Sequence, residues 1–146
     1  MVDYETLMQE HDMLVVLATR LAGSVEPTGP TPLPAIAARD ALSDALIHHL
    51  HTEDSMIYPL LIGGNDASAA AAAHDVVTEF KDLIGDWTDY MATWPARRIE
   101  TEWPAFTAVT LDLMRRLTGR VRRENELLYP LALAAAHIPL RAKQAS

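Results

Sequence analysis

Residues 42–60 read LSDALIHHLHTEDSMIYPL, and the spacing inside this stretch decides the fold class. Leu42, Leu46, His49, Glu53, Met56, Ile57 and Leu60 recur at intervals close to three and four, the period that lines side chains along one face of a helix. The helix that carries them is expected over about residues 35–62. Pro59 should kink it or leave a local defect, because proline lacks the N–H that an interior helical position donates. Gly63-Gly64 stops the pattern, and Asn65 or Asp66 is placed to cap the next helix.

The same period extends outward in both directions. Upstream, Leu7, His11, Leu14, Val15, Ala18 and Leu21 predict a helix over about 2–22, ended by Gly23-Ser24. Residues 26–34 hold Pro27, Pro30, Pro32 and Pro34 and are expected to be a non-helical loop. Downstream, an alanine run followed by His74, Val77, Phe80, Leu83, Ile84 and Trp87 predicts a third helix over about 67–91. A fourth starts near Trp103-Pro104 and runs through Phe106, Leu113, Leu117, Val121, Glu124 and Leu128 toward Ala136, with Pro130 inside it. No segment reads as a strand. Long helices joined by short or medium links predict an all-α, up-and-down antiparallel four-helix bundle, one domain over residues 1–146. Its halves echo each other: Tyr58-Pro59-Leu60 returns as Tyr129-Pro130-Leu131, and Glu53 and Glu124 each stand six residues before the proline.

Composition removes several function classes. The chain has 146 residues, 49% of them apolar, enough for one real core. Its formal charge is −8, which disfavours nucleic acid and membrane surfaces as partners, since phosphate contacts need a dense basic face. Arg115, Arg116, Arg120, Arg122 and Arg123 are therefore read as a solvated, ion-paired helix face. There are no cysteines, so disulfides, thiolate metal sites and thiol nucleophiles are excluded. No apolar run reaches the ~18–20 residues of a membrane span, and the start of the chain lacks a signal peptide's pattern. A cytoplasmic location is expected. No phosphate loop or nucleophile elbow is present.

The remaining chemistry lies in histidines and glutamates on inner faces. His49 and Glu53 are four apart, one turn along the same face, close enough to reach one metal ion. His11, His74 and Glu124 fall on the stripes of the other helices. A single histidine on an apolar stripe is more often a hydrogen-bonded core residue than a ligand, and His48 and His51 read as surface residues. A buried carboxylate is harder to dismiss, because without a partner it costs several kcal/mol or must take a proton. Glu53 and Glu124 need a partner, and a cation supplies one.

These residues resemble the hemerythrin-like HHE family over nearly the whole chain. The resemblance rests on Glu10-His11-Asp12, on His49 through Asp54 with Met56 through Leu60, on Ala73-His74-Asp75, and on Arg120 through Leu131. It implies a non-haem di-iron centre. His11, His49, Glu53 and Glu124 would serve the first metal; His74, with bridging Glu53 and Glu124, would serve the second. The family's second His-x-x-x-Glu reads Arg120-x-x-x-Glu124 here. Arginine is always cationic and cannot ligate. It is expected either to set a guanidinium near the second seat and pair with Glu124, or to reach solvent. Thr78 stands where oxygen-carrying members have another histidine, so reversible oxygen carriage is disfavoured. Three outcomes are open: two irons with a substitute ligand such as Tyr4, one metal with Arg120 replacing the second cation, or a metal-free bundle.

The function this implies is handling or sensing of oxygen, peroxide or nitric oxide at iron, one or two per chain, with or without a peroxide- or nitric-oxide-related oxidoreductase activity. The alternative is a non-enzymatic regulatory or interaction module whose metal is structural or lost. A homodimer is compatible with either. In the second reading Trp94 and Trp103 are exposed candidate partner contacts, unless they simply pack the third loop.

Overall fold

The computed structural model describes residues 4–26, 30–128 and 130. The expected extension of the last helix to Ala136 lies outside them. Among the described residues every regular element is helical. Helix α1 spans Tyr4–Ser24, α2 Pro32–Thr52, α3 Tyr58–Ile62, α4 Ala67–Glu79, α5 Leu83–Thr93, α6 Ala96–Thr101 and α7 Trp103–Arg123. Two single π turns complete the order, Glu53–Ile57 between α2 and α3, and Glu124–Leu128 after α7.

These pieces stack into the four rods of an antiparallel bundle: α1; α2 continued by α3; α4 continued by α5; and α7. Helix α1 packs on both α2 and α7, and α5 packs on α7. The core is built from the apolar stripes. Leu7, Leu14 and Leu21 of α1 meet Leu42 and Leu46 of α2, Leu83 and Trp87 of α5, and Phe106 and Leu117 of α7, all buried. The end of the bundle away from the histidines is closed by aromatic rings. Tyr90 stacks on Phe106 at 5.7 Å between centroids, and Trp94 and Trp103 both lean on the same ring. Trp94 and Trp103 are thus core residues and offer no exposed partner contact. Arg98 covers Trp94 at 4.1 Å, and Arg39 donates to the Trp94 carbonyl at 2.8 Å, which ties the loop before α6 to α2.

Local chemistry moves several boundaries. Helix α2 begins at Pro32, inside the expected proline loop, because the first turn of a helix has no intrahelical acceptors for its N–H groups and loses nothing to proline. Asp66, the second of the two candidate caps, accepts from the backbone N–H groups of Ser68 and Ala69 and starts α4. The third rod is not continuous. At Phe80 the backbone leaves helical geometry, with φ −114° and ψ 17°, and α5 restarts at Leu83.

Pro59 acts as the sequence suggests, through a defect. Tyr58 N–H reaches back to the Glu53 carbonyl, a five-residue step, so one extra residue is accommodated just before Pro59. The extra residue changes which face looks inward. Met56 and Leu60, expected in the core, are 49% and 38% exposed, whereas Ile57, also expected there, and Leu61, which was not, are 2% and 1% exposed.

Candidate metal centre

His11, His49, Glu53 and Glu124 converge at one end of the core, all buried, with one potential ligand atom from each lying within 4.8 Å of the others. They come from three rods. His11 sits in the second turn of α1. His49 lies at the end of α2 and Glu53 opens the first π turn, so the pair keeps its i, i+4 relation across the junction. Glu124 opens the second π turn. Each carboxylate therefore stands at a point where a helix widens, a backbone feature frequent at functional sites.

The carboxylates divide their oxygens between two sides. Toward the histidines, Glu53 Oε2 lies 3.3 Å from His11 Nε2 and 3.1 Å from His49 Nε2, and Glu124 Oε1 lies 3.1 Å from His11 Nε2. On the other side stands Arg120. Its Nη2 donates to Glu53 Oε1 at 3.2 Å and its Nε to Glu124 Oε2 at 3.1 Å. Tyr58 O–H donates to the same Glu124 oxygen, and its ring lies under the guanidinium. Arg120 is buried and turned inward onto both carboxylates rather than out to solvent.

Electrostatics follow from this arrangement. Burial alone would deprotonate His11, but hydrogen bonds and charges from Glu124 and Glu53 outweigh it and push the imidazolium up to about 10. His49 is likewise raised against its own burial, by Glu53 and then Glu10. Burial would raise Glu53, yet hydrogen bonds from His11 and His49 hold it well below the usual carboxylate range. Glu124 is raised, by burial and by the neighbouring Glu53 charge. Tyr58 is raised by burial and by Glu124, so it remains a phenol and a donor.

The donor set fits a divalent transition metal. Three of the donor separations, 3.1–3.3 Å, match the edge lengths of a coordination shell with bonds of roughly 2.1 Å, and the whole set, within 4.8 Å, would close in slightly around an ion. Imidazole and carboxylate suit iron, manganese or zinc. His74 does not join the group. It is exposed on α4, because the buried positions there are Ala69, Ala73 and Val76, the last two standing one position before the His74 and Val77 that the sequence suggested. Tyr4 as a substitute ligand lies outside the described side chains. Two residues of the site carry no signal in the helical period: Glu10, whose Oε1 is 2.7 Å from His49 Nδ1, and Asn125, whose Oδ1 is 2.6 Å from His11 Nδ1. Each is the sequence neighbour of a ligand candidate, the one clue available.

A cavity of about 370 Å³ opens beside the group. Tyr58 and Arg120 form part of its wall, with Pro59, Ile62, Val77, Phe80, Lys81 and Ile84 completing it. The remaining arginines of α7 are largely engaged at the surface: Arg115 pairs with Asp112, Arg116 with Asp86 and Arg123 with Glu79. No helix among the described residues is long and apolar enough to cross a membrane.

A sequence model described as the hemerythrin HHE cation binding domain matches residues 2–132. The chain belongs to the hemerythrin HHE family. This hemerythrin-like chain is 32% identical over 114 residues to a protein named iron-sulfur cluster repair protein YtfE from Edwardsiella ictaluri (strain 93-146), an alignment covering 73% of the chain and 51% of that relative. It spans about half the length of the relative it matches. No solved structure matches it. The family binds non-haem iron, and the hemerythrin-like bundle has a buried histidine–glutamate group able to hold it.

Proposed function

We propose that this hemerythrin-like chain holds one non-haem iron at His11, His49, Glu53 and Glu124, and that it handles or senses oxygen, peroxide or nitric oxide there. The observation that carries the reading is the division of the carboxylates. Their inner oxygens face two imidazoles, and their outer oxygens face Arg120, which supplies positive charge where a bridging carboxylate would otherwise meet a second cation. The exposure of His74 favours the same nuclearity. When bound, iron would supply a redox-active ion with coordination positions beyond its protein ligands.

The chain's own residues would do the rest. Glu53 and Glu124 hold the metal from two π turns, and Arg120 keeps both carboxylates ionised and aimed. Tyr58 and Arg120 stand between the group and the cavity, where a small ligand can approach and where a guanidinium offsets the charge of an anionic one. The likeness to a protein named for iron-sulfur cluster repair supports an iron-handling role.

A second reading has one observation in its favour. The charged groups already neutralise one another through hydrogen bonds, so the bundle can stand without metal and serve as an interaction module. Metal content per chain, measured after anaerobic iron reconstitution together with the absorption spectrum, separates the two. About one iron, lost in Glu53→Ala, supports the proposal. Two irons overturn the single-metal reading, and none leaves the second.

A further inference from the structure

We propose that Glu10 and Asn125 are positioning residues that decide which nitrogen of His49 and of His11 faces the metal seat. The inference rests on the metal-site reading above. Both rings are held at opposite nitrogens. On the inner side, each Nε2 lies 3.1–3.3 Å from carboxylate oxygens of Glu53 or Glu124. On the outer side, His49 Nδ1 meets a Glu10 oxygen at 2.7 Å, and His11 Nδ1 meets the Asn125 amide oxygen at 2.6 Å.

Carboxylate and amide oxygens only accept hydrogen bonds, so in both rings Nδ1 carries a proton. In the metal-free chain each Nε2 also faces carboxylate oxygens and donates to them, and a metal would displace that second proton. In the neutral ring that remains, the proton held on Nδ1 leaves the lone pair on Nε2, the nitrogen that faces the carboxylates. A ring without its outer acceptor populates both tautomers, and the Nε2–H form cannot ligate. The links cross between rods. Glu10, beside His11 on α1, aims the ligand of α2; Asn125, beside Glu124, aims the ligand of α1. The two acceptors also differ in charge. The Glu10 carboxylate draws the Nδ1 proton toward itself and makes His49 the more basic donor of the pair.

Zinc is the diamagnetic probe for the test, with the whole chain, ring nitrogen shifts by NMR and zinc affinity by competition with a chromophoric chelator. The native chain should show zinc at Nε2 and a proton on Nδ1 in both rings. Glu10→Leu and Asn125→Leu should each weaken zinc by about 10–100-fold, while Glu10→Gln and Asn125→Asp, which keep an acceptor, should stay within about threefold. Far-ultraviolet circular dichroism identifies variants that keep the fold, and only these enter the affinity comparison. Zinc on Nδ1 in the native chain overturns the inference whatever the variants do, as do leucine variants that bind within about twofold of native. If the native chain binds neither zinc nor iron, the metal-site reading falls and this inference with it. Tight native binding untouched by the leucine variants overturns the inference alone.

Discussion

Arg120 Nη2 stands 3.2 Å from Glu53 Oε1, an ion pair between residues 67 positions apart that joins α7 to the first π turn in the core. Together with the bond from Nε to Glu124, it makes one side chain the shared partner of both buried carboxylates. Removing it strips both carboxylates of their outer partner and leaves them to His11, His49 and Tyr58. Arg120→Leu should therefore destabilise the metal-free chain by at most about 3–5 kcal/mol, the usual cost of breaking a buried ion pair. Saturating zinc should recover part of the loss by binding the folded form. Urea unfolding with and without zinc checks this, and a variant with native stability in chelator would show that Arg120 is not the carboxylates' partner in solution.

The metal-free chain should lose stability as pH rises. His11 is raised from 6.5 to about 10 in the folded state. Its contribution is complete below pH 6.5, where both folded and unfolded forms are protonated. It declines as pH climbs and is gone above about 10, because the unfolded state gives up its proton first. Metal uptake should respond in the opposite sense, tightening with pH as bound protons cease to compete. Unfolding midpoints in chelator at pH 6, 8 and 10 test the first statement, and a rising midpoint would contradict it.

Tyr58→Phe removes the phenol that donates to Glu124 and nothing else of similar size. A hydrogen bond to a charged acceptor contributes about 1.5–3 kcal/mol, so the variant should lose that much in chelator. A change below about 0.5 kcal/mol would place this bond among the inconsequential ones.

Asp66→Ala tests a purely local element. Its carboxylate caps α4 through Ser68 and Ala69 N–H, well away from the metal group. The expected cost is about 1 kcal/mol with zinc affinity unchanged. A loss of zinc binding would mean that α4 shapes the site more than its exposed His74 suggests.

The bundle was legible in the sequence because its signals are local. Leu42, Leu46, His49 and Glu53 obey one helical period, Gly63-Gly64 and Asp66 mark a boundary, and carboxylates on apolar stripes ask for a cation. What stayed hidden depends on phase. A residue inserted at a π turn keeps the composition of a helix but turns everything after it by about 100°. Leu61 thereby replaced Leu60 in the core and Met56 turned outward, while Ile57 stayed where its spacing put it. In the third rod Phe80, Leu83 and Trp87 are buried as their spacing indicates, but before them the buried positions are Ala69, Ala73 and Val76; alanines carry little hydrophobic signal, and the more conspicuous His74 and Val77 stand one position away, exposed. The contacts of Glu10 and Asn125 were hidden for another reason. Their partners lie on other rods, and no spacing along one helix records a contact across two.

The arrangement around Arg120 gives the site the character of an ion exchanger. Two glutamates and one guanidinium sum to a single negative charge. Two imidazolium rings bring that to plus one, and so do two neutral rings with a divalent metal. Loading would exchange two protons for one metal ion at constant buried charge. A chelator that removes the metal cannot remove the guanidinium, which is bonded to the helix. On the proposed reading, folding and metallation would be separate events, and the emptied bundle would be a receptor that can be filled again.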